Sequence, residues 1–187
     1  MSRFTIADTP LTGLKVVQRR PLGDSRGFFS RLFCNQDLIA AGWTRPIAQL
    51  NHSYSAARGT VRGLHFQRPP FAEMKLVNCL EGEIWDVAVD IRAGSPTFLQ
   101  WHAQRIGADN ALSLLVPEGF AHGFQTLSDK AHVVYCCSAP YSAESEGGLL
   151  ATDPKLAIRW PLPISSTSPR DAQHPLISAQ FVGLSVL

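Results

Sequence analysis

Nowhere in the 187 residues does an apolar run approach the roughly 20 that a membrane span needs; the longest runs are strand-sized. No block of like charge occurs, and a formal net charge of +2 offers no grip on nucleic acid or a membrane surface. Cysteine is scarce. Cys34, Cys79, Cys136 and Cys137 stand without any Cys-x-x-Cys spacing, which removes a structural zinc site and a redox pair. All four are expected as small, buried apolar side chains. The N-terminal MSRFTIADTP carries no apolar core of signal-peptide type, which predicts a cytosolic chain. Internal repeats, low-complexity tracts and linkers are also missing, so one domain over residues 1–187 is the expectation.

What is there suffices for a folded core: 45% of residues are apolar and 17% charged. The middle of the chain reads as short strands. Ile84 to Asp90 alternates in part between Gly82 and Gly94, and Lys75–Leu80, Ser113–Val116 and Ala131–Cys137 are runs rich in Val, Leu and Cys. Turn clusters separate them at Glu81-Gly82, Ala93-Gly94-Ser95-Pro96, Ala108-Asp109-Asn110 and Ser128-Asp129-Lys130. Short strands at regular spacing predict an all-β sandwich or barrel. One short helix is expected from Asn35, as N-cap, through Ala41 to Gly42 just past its end. The Pro-rich stretch from Trp160 to Pro175 lacks periodicity and is expected to wrap the surface.

The densest polar constellation runs from Arg58 through Arg62, His65 and Gln67 to Lys75. On a strand, Arg62, Leu64 and Phe66 face one way and His65 and Gln67 the other. Arg62 and His65 share a pocket only if a bulge or twist intervenes, and Gly63 permits one. A basic edge strand with a structurally satisfied His is the plainer alternative. Pro117-Glu118-Gly119-Phe120-Ala121-His122 can set His122 at a barrel mouth, where ligands bind. Its Pro-x-Gly-x-x-His pattern is the second half-motif of cupin barrels, which raises a metal site. The first half supplies only His65, with Gln67 where a second His would stand and Glu73 before Met74. Two His ligands fall short of the usual three or more, so no metal is expected. Tyr135, Tyr141 and Glu146 form a third group and Arg170-Asp171 a fourth; each alone fits packing or a solvated pair.

Together these pieces resemble the dTDP-4-dehydrorhamnose 3,5-epimerase family over nearly the whole chain. The matching segments are Asp24-Ser25-Arg26-Gly27-Phe28-Phe29, Gln49 to Ser53, Gly59 to Gln67, Lys75-Leu76-Val77, Asp86 to Arg92 and Ser95 to Phe98. Pro117 to Phe124, Tyr135, Tyr141, Glu146, Asp153-Pro154 and Arg170-Asp171 complete the order. The resemblance implies an all-β, double-stranded β-helix (jelly-roll, cupin-like) barrel with a few short helices. It also implies a homodimer with exchanged N-terminal strands and no cofactor. By position, His65 is the base, Asp171 its orienting partner, Lys75 the cation beside the keto oxygen and Tyr135 the acid on the opposite face. Arg26, Gln49, Asn51, Arg62, His122, Glu146 and Arg170 match nucleotide-sugar contacts, and Tyr141 the residue stacked on the base.

The chemistry asks for such residue types. A hydrogen beside a ketone leaves only because an enolate results, and His suits its removal with an ordinary pKa of about 6.5. Asp fixes the imidazole tautomer, Lys stabilises the enolate oxygen, and paired Arg forks fit a diphosphate. Two departures stand out: Ser30-Arg31 where the family usually carries Glu, and Leu149-Leu150-Ala151-Thr152 where it often carries Trp and an acidic or amide residue. The first is expected to broaden or shift the base preference. The rival functions are a same-fold isomerase acting on another nucleotide sugar, a metal-dependent cupin enzyme and a non-catalytic sugar-nucleotide binder.

Overall fold

The computed structural model describes residues 2–186. Its strands, in chain order, are β1 (Phe4–Asp8), β2 (Lys15–Arg19), β3 (Leu22–Asp24), β4 (Gly27–Phe29), β5 (Gln49–Ser55), β6 (Val61–Gln67) and β7 (Lys75–Glu81). There follow β8 (Glu83–Asp90), β9 (Trp101–Gly107), β10 (Leu112–Val116), β11 (Phe120–Thr126), β12 (Ala131–Cys137) and β13 (Glu146–Gly148). Six of them form one sheet, ordered β1-β2-β10-β7-β12-β5, and five form a second, ordered β13-β6-β11-β8-β9. All neighbours pair antiparallel. The two sheets face each other as the jelly-roll barrel expected of a cupin-like fold.

Three apolar layers hold this arrangement together. Val77, Cys79, Ile84, Ala88, Leu114, Phe124 and Val133 fill the space between the sheets. Leu64, Phe66, Val87, Val89 and Ala121 cover the outer face of the five-stranded sheet, packed against Leu149, Leu156, Ile177 and Leu184 of the C-terminal segment. On the far side, Val17, Leu76, Leu115 and Cys136 meet Leu38, Ala41 and Trp43. Burial on both faces explains why Ile84–Asp90 alternates only in part: from Asp86 onward every residue of β8 is buried. The C-terminal wrap is fastened where the indole N–H groups of Trp101 and Trp160 donate to the carbonyls of Leu156 and Ala151, at 3.0 and 2.8 Å.

Three local expectations are corrected. Helix α1 covers Asn35–Leu38 with Cys34, not Asn35, at the N-cap, and continues as a 3₁₀ turn to Ala41. Gly42 closes it at φ 100°, the left-handed conformation that glycine enters freely. Cys34 is half-buried, because the cap position keeps it at the helix edge, whereas Cys79, Cys136 and Cys137 are buried. The Trp160–Pro175 stretch is not wholly irregular: Ser168 caps a turn of helix α2 (Pro169–Ala172), its hydroxyl accepting from the Asp171 N–H at 3.0 Å. Ser at the cap followed by Pro at the first helical position is a start signal that composition obscured.

Candidate active site

Inward residues change character along each barrel strand. On β12 they run Ala131, Val133, Tyr135, Cys137, and on β7 they run Cys79, Val77, Lys75. Cys137 pairs with Lys75 and Tyr135 with Val77, so the polar ends of both strands coincide. β5 continues the same wall, with Asn51 opposite Tyr135 and Gln49 opposite Cys137. The apolar filling thus stops short of one end of the barrel, where a cleft of about 590 Å³ opens.

β6 forms the opposite wall. His122 pairs with His65 but Phe124 pairs with Arg62, so Gly63 and Leu64 together oppose the single Gly123. That bulge shifts the alternation by one residue, and Arg62 and His65 line the same cleft. Glycine is required here: a Cβ on Gly63 would lie 2.6 Å from the Gly123 Cα, and one on Gly123 would lie 2.5 Å from the Arg62 carbonyl oxygen. The N–H of Gly63 donates to Asp171 Oδ2 at 3.1 Å, and the other oxygen of the same carboxylate lies 2.7 Å from His65 Nε2. The carboxylate therefore ties the bulge and the imidazole together. Burial alone would raise the Asp171 pKa, but the hydrogen bonds from His65, the Gly63 N–H and Ser168 outweigh it and hold it low. An ionised carboxylate only accepts, so the neutral His65 carries its proton on Nε2 and its lone pair on Nδ1. Burial, opposed by Asp171 and assisted by Lys75 and Arg170, holds the His65 pKa below that of free imidazole.

Across the cleft, the Lys75 ammonium lies 3.0 Å from Glu73 Oε1, both side chains only 11% exposed. Gln67 donates to the other Glu73 oxygen at 3.3 Å. Tyr135 stands on the same wall; burial, only partly offset by Lys75, raises its pKa, so at neutral pH it holds a proton to give. Cys137 is kept a thiol, pushed up to about 12 by burial with Glu73 beside it. His122 forms a second His–Asp pair, its Nε2 2.7 Å from Asp86 Oδ1.

Cations dominate the rim. Arg62 donates to Ser55 Oγ at 2.9 Å and to the Tyr54 carbonyl at 2.8 Å, and no carboxylate among the described residues neutralises it. Arg170 donates to both Glu146 oxygens at 2.8 and 2.9 Å, while the Tyr141 hydroxyl donates to Glu146 at 3.0 Å. Tyr141 is otherwise exposed and lines the mouth of the cleft.

The cleft gathers His65, Lys75, Tyr135, Asp171, Gln49, Asn51, Arg62, His122, Tyr141, Glu146 and Arg170. Arg26 is not among them. It sits at the turn of the β3–β4 hairpin, 87% exposed, and among the described residues pairs only with Asp24. Arg31 also lies outside, 3.8 Å from Asp37 of α1. Asp90, Arg92, Ser95 and Thr97 make a structural knot instead of a site: the buried Asp90 carboxylate accepts from Arg92, Ser95 and Thr97 at 2.6–2.9 Å. Glu73 and Cys137 line the cleft as well. Glu73 has a local signal, its place two residues before Lys75; Cys137 has none.

With this geometry in view, comparison with known proteins is specific. Residues 8–179 match the family model described as dTDP-4-dehydrorhamnose 3,5-epimerase. The dTDP-4-dehydrorhamnose 3,5-epimerase of Sinorhizobium fredii is 43% identical over 169 residues, spanning 87% of this chain and 84% of that protein. A crystal structure of the Bacillus anthracis dTDP-4-dehydrorhamnose 3,5-epimerase with TDP and PPi bound superposes with a TM-score of 0.89 at 44% identity, covering 93% of this chain and 99% of that one. The Legionella pneumophila dTDP-6-deoxy-D-glucose-3,5-epimerase, in complex with dTDP-4-keto-L-rhamnose, gives 0.91 at 39% identity, covering 98% and 100%. Two independent measures, sequence over most of the chain and backbone over nearly all of it, agree: the chain belongs to the dTDP-4-dehydrorhamnose 3,5-epimerase family.

Proposed function

We propose that the chain is a cofactor-independent epimerase of a nucleotide-diphospho-4-keto-6-deoxyhexose, acting at carbon 3, carbon 5 or both. The observation that carries this is the opposition of the two walls. His65 of β6, paired with Asp171 of α2, stands on one wall, and a lysine with a protonated tyrosine stands on the facing β7 and β12. His65 Nδ1 removes the hydrogen beside the ketone, and Asp171 stabilises the imidazolium that results. Lys75 places positive charge where the enolate oxygen develops, an effect worth roughly 3–4 kcal/mol per donor in comparable sites. Tyr135 returns a proton from the other face and inverts the centre. One proton leaves and one arrives, no electrons are exchanged, and the balance closes without a cofactor. Arg62 and Arg170 suit the diphosphate, the exposed ring of Tyr141 suits the base, and Gln49, Asn51, His122 and Glu146 suit the intervening polar groups.

Arg26 is reconciled with this function by a homodimer. The β3–β4 hairpin joins neither large sheet and exposes Leu22, Phe28 and Phe29, while β5 leaves one edge of the six-stranded sheet unpaired. A hairpin donated to the β5 edge of a second copy covers both and carries Arg26 toward the Gln49–Asn51 wall. Four free cysteines accord with a reducing, cytosolic setting.

The test is incubation with nucleotide 4-keto-6-deoxy sugars in deuterium oxide, scored by mass spectrometry and by product stereochemistry in NMR. Tyr135→Phe is expected to retain exchange, since His65 can return the proton on its own face, yet to lose inversion. His65→Asn is expected to lose both, by about 10²–10⁴-fold. Parent-rate inversion by Tyr135→Phe, or free exchange by His65→Asn, would refute these roles. Sedimentation of the parent and of Phe28→Ser/Phe29→Ser checks the dimer, which predicts a dimeric parent and a weakened variant.

A further inference from the structure

His174 follows α2 and takes no part in the proposed reaction. Its imidazole Nε2 is buried with no hydrogen-bond partner among the described residues. A buried polar atom left unpaired costs on the order of 1–3 kcal/mol, so its presence needs a reason. The backbone makes room for it: a Cβ on Gly148 would fall 2.1 Å from that nitrogen, and only glycine allows the ring to lie there. The ring meets His65 edge-on, at 71° and 6.4 Å between centroids. One ligand atom each from His65, Asp171 and His174 falls within a sphere of contact in which all lie within 4.8 Å of one another.

We propose that His65, Asp171 and His174 form an inhibitory binding site for a divalent cation of zinc type. Two imidazoles and one carboxylate are a donor set that holds zinc while leaving a position for water. His122, opposite His65 across the β6–β11 ladder, is held by Asp86 instead; the third ligand comes from the C-terminal segment. Inhibition follows from the tautomer. A cation on the dyad takes the His65 nitrogen that now carries a proton, Nε2, so the neutral ring must carry its proton on Nδ1. Nδ1 is the atom that has to accept the substrate's proton. No bond to carbon forms or breaks and no electrons move; one proton shifts from one ring nitrogen to the other through solvent. Arg170 Nη2 lies 3.3 Å from the same Nε2 and must swing aside, toward the Glu146 carboxylate that already holds it.

Binding does not depend on the epimerase function proposed above; inhibition does, and the experiment separates them. Chelator-stripped protein is titrated with zinc chloride by calorimetry and with cobalt(II) by visible absorption, while deuterium exchange into substrate is followed in parallel. The parent is expected to bind one cation at the dyad and to lose exchange as it binds. His174→Ala, and His174→Gln as a bulkier replacement, should weaken binding about tenfold or more, shift the inhibition curve equally, and leave the zinc-free exchange rate unchanged. Equal affinity in parent and both variants would overturn the site. So would zinc binding that His132→Ala abolishes, since the exposed His52 and His132, 2.8 Å apart, offer a separate surface chelate. Binding that depends on His174 without any slowing of an active enzyme would overturn the inhibition. Binding that depends on His174, in a protein inactive on every nucleotide 4-keto sugar, would uphold the site and refute the function.

Discussion

Replacing Asp171 by Asn keeps the shape and removes one charge, and the structure dictates the cost. In the parent, one carboxylate accepts both the Gly63 N–H and the His65 Nε2–H. A carboxamide has a single oxygen for these two donors. If it faces Gly63, the amide NH₂ faces Nε2, and the imidazole must carry its proton on Nδ1, the nitrogen proposed as base. If it faces His65, the buried Gly63 N–H confronts another donor and stays unpaired. Forcing the competent tautomer thus costs about 1–3 kcal/mol, and losing a charged partner for the imidazolium adds about 1.5–3 kcal/mol. The sum corresponds to a rate loss of roughly 10²–10⁴ at 1.36 kcal/mol per tenfold. Asp171 also raises the His65 pKa against burial, so its removal lets that pKa fall further, and the acid limb of kcat/KM should move to lower pH. The assay is deuterium exchange against pH together with ¹⁵N NMR of the imidazole, which reports the protonated nitrogen directly. An Asp171→Asn protein that keeps Nε2–H and more than about a tenth of the parent rate would refute the tautomer argument.

Asp90→Asn is a stability counterpart remote from the cleft. Burial raises the Asp90 pKa, but Arg92, Ser95 and Thr97 outweigh it and hold it down to about 2, below the roughly 3.9 of an unfolded Asp. The stability it contributes is complete above the unfolded value and is lost as pH falls toward the folded one. A penalty of about 2–3 kcal/mol at pH 7, shrinking below about pH 4, is therefore expected from denaturant titrations, and a pH-independent penalty would contradict it. Arg31→Glu restores an acidic residue next to the hairpin and should narrow the base preference among thymidine, uridine and cytidine diphospho-sugars. A parent already strict for thymidine, and unchanged by the substitution, would refute that.

How legible all this was depended on whether the signal was local. β7, β8 and β12 could be read from runs of Val, Leu and Cys because their residues are buried on both faces or nearly so. β5, with Gln49, Asn51 and Ser53 turned toward the cleft and Leu50, His52 and Tyr54 exposed, reverses the usual pattern and left no strand signature of its own. The bulge at Gly63 was anticipated as a requirement, yet only pairing shows that its freed N–H is what Asp171 accepts. Asp171 lies 106 residues from His65 in sequence, so no spacing rule joins them; the resemblance did. Arg26 marks the limit of that resemblance: it matches by position, yet it lies outside the cleft of its own chain.

Glu73 at first looks unhelpful, a carboxylate beside the lysine proposed to stabilise an enolate. The geometry argues otherwise. An unpaired ammonium at this depth is costly, and the empty cleft must be stable before substrate arrives. Lysine has three N–H donors and Glu73 occupies one of them, at 3.0 Å. Gln67, anchored by its contacts to the Phe71 and Pro140 carbonyls, holds the carboxylate from the far side, so Lys75 stays aimed along the wall that Tyr135 shares. In the proposed reaction a keto oxygen takes a free N–H without breaking the pair. Its interaction strengthens as negative charge builds on the oxygen, while the Glu73 contact stays constant. The stabilisation thus falls on the transition state more than on the ground state, as catalysis requires.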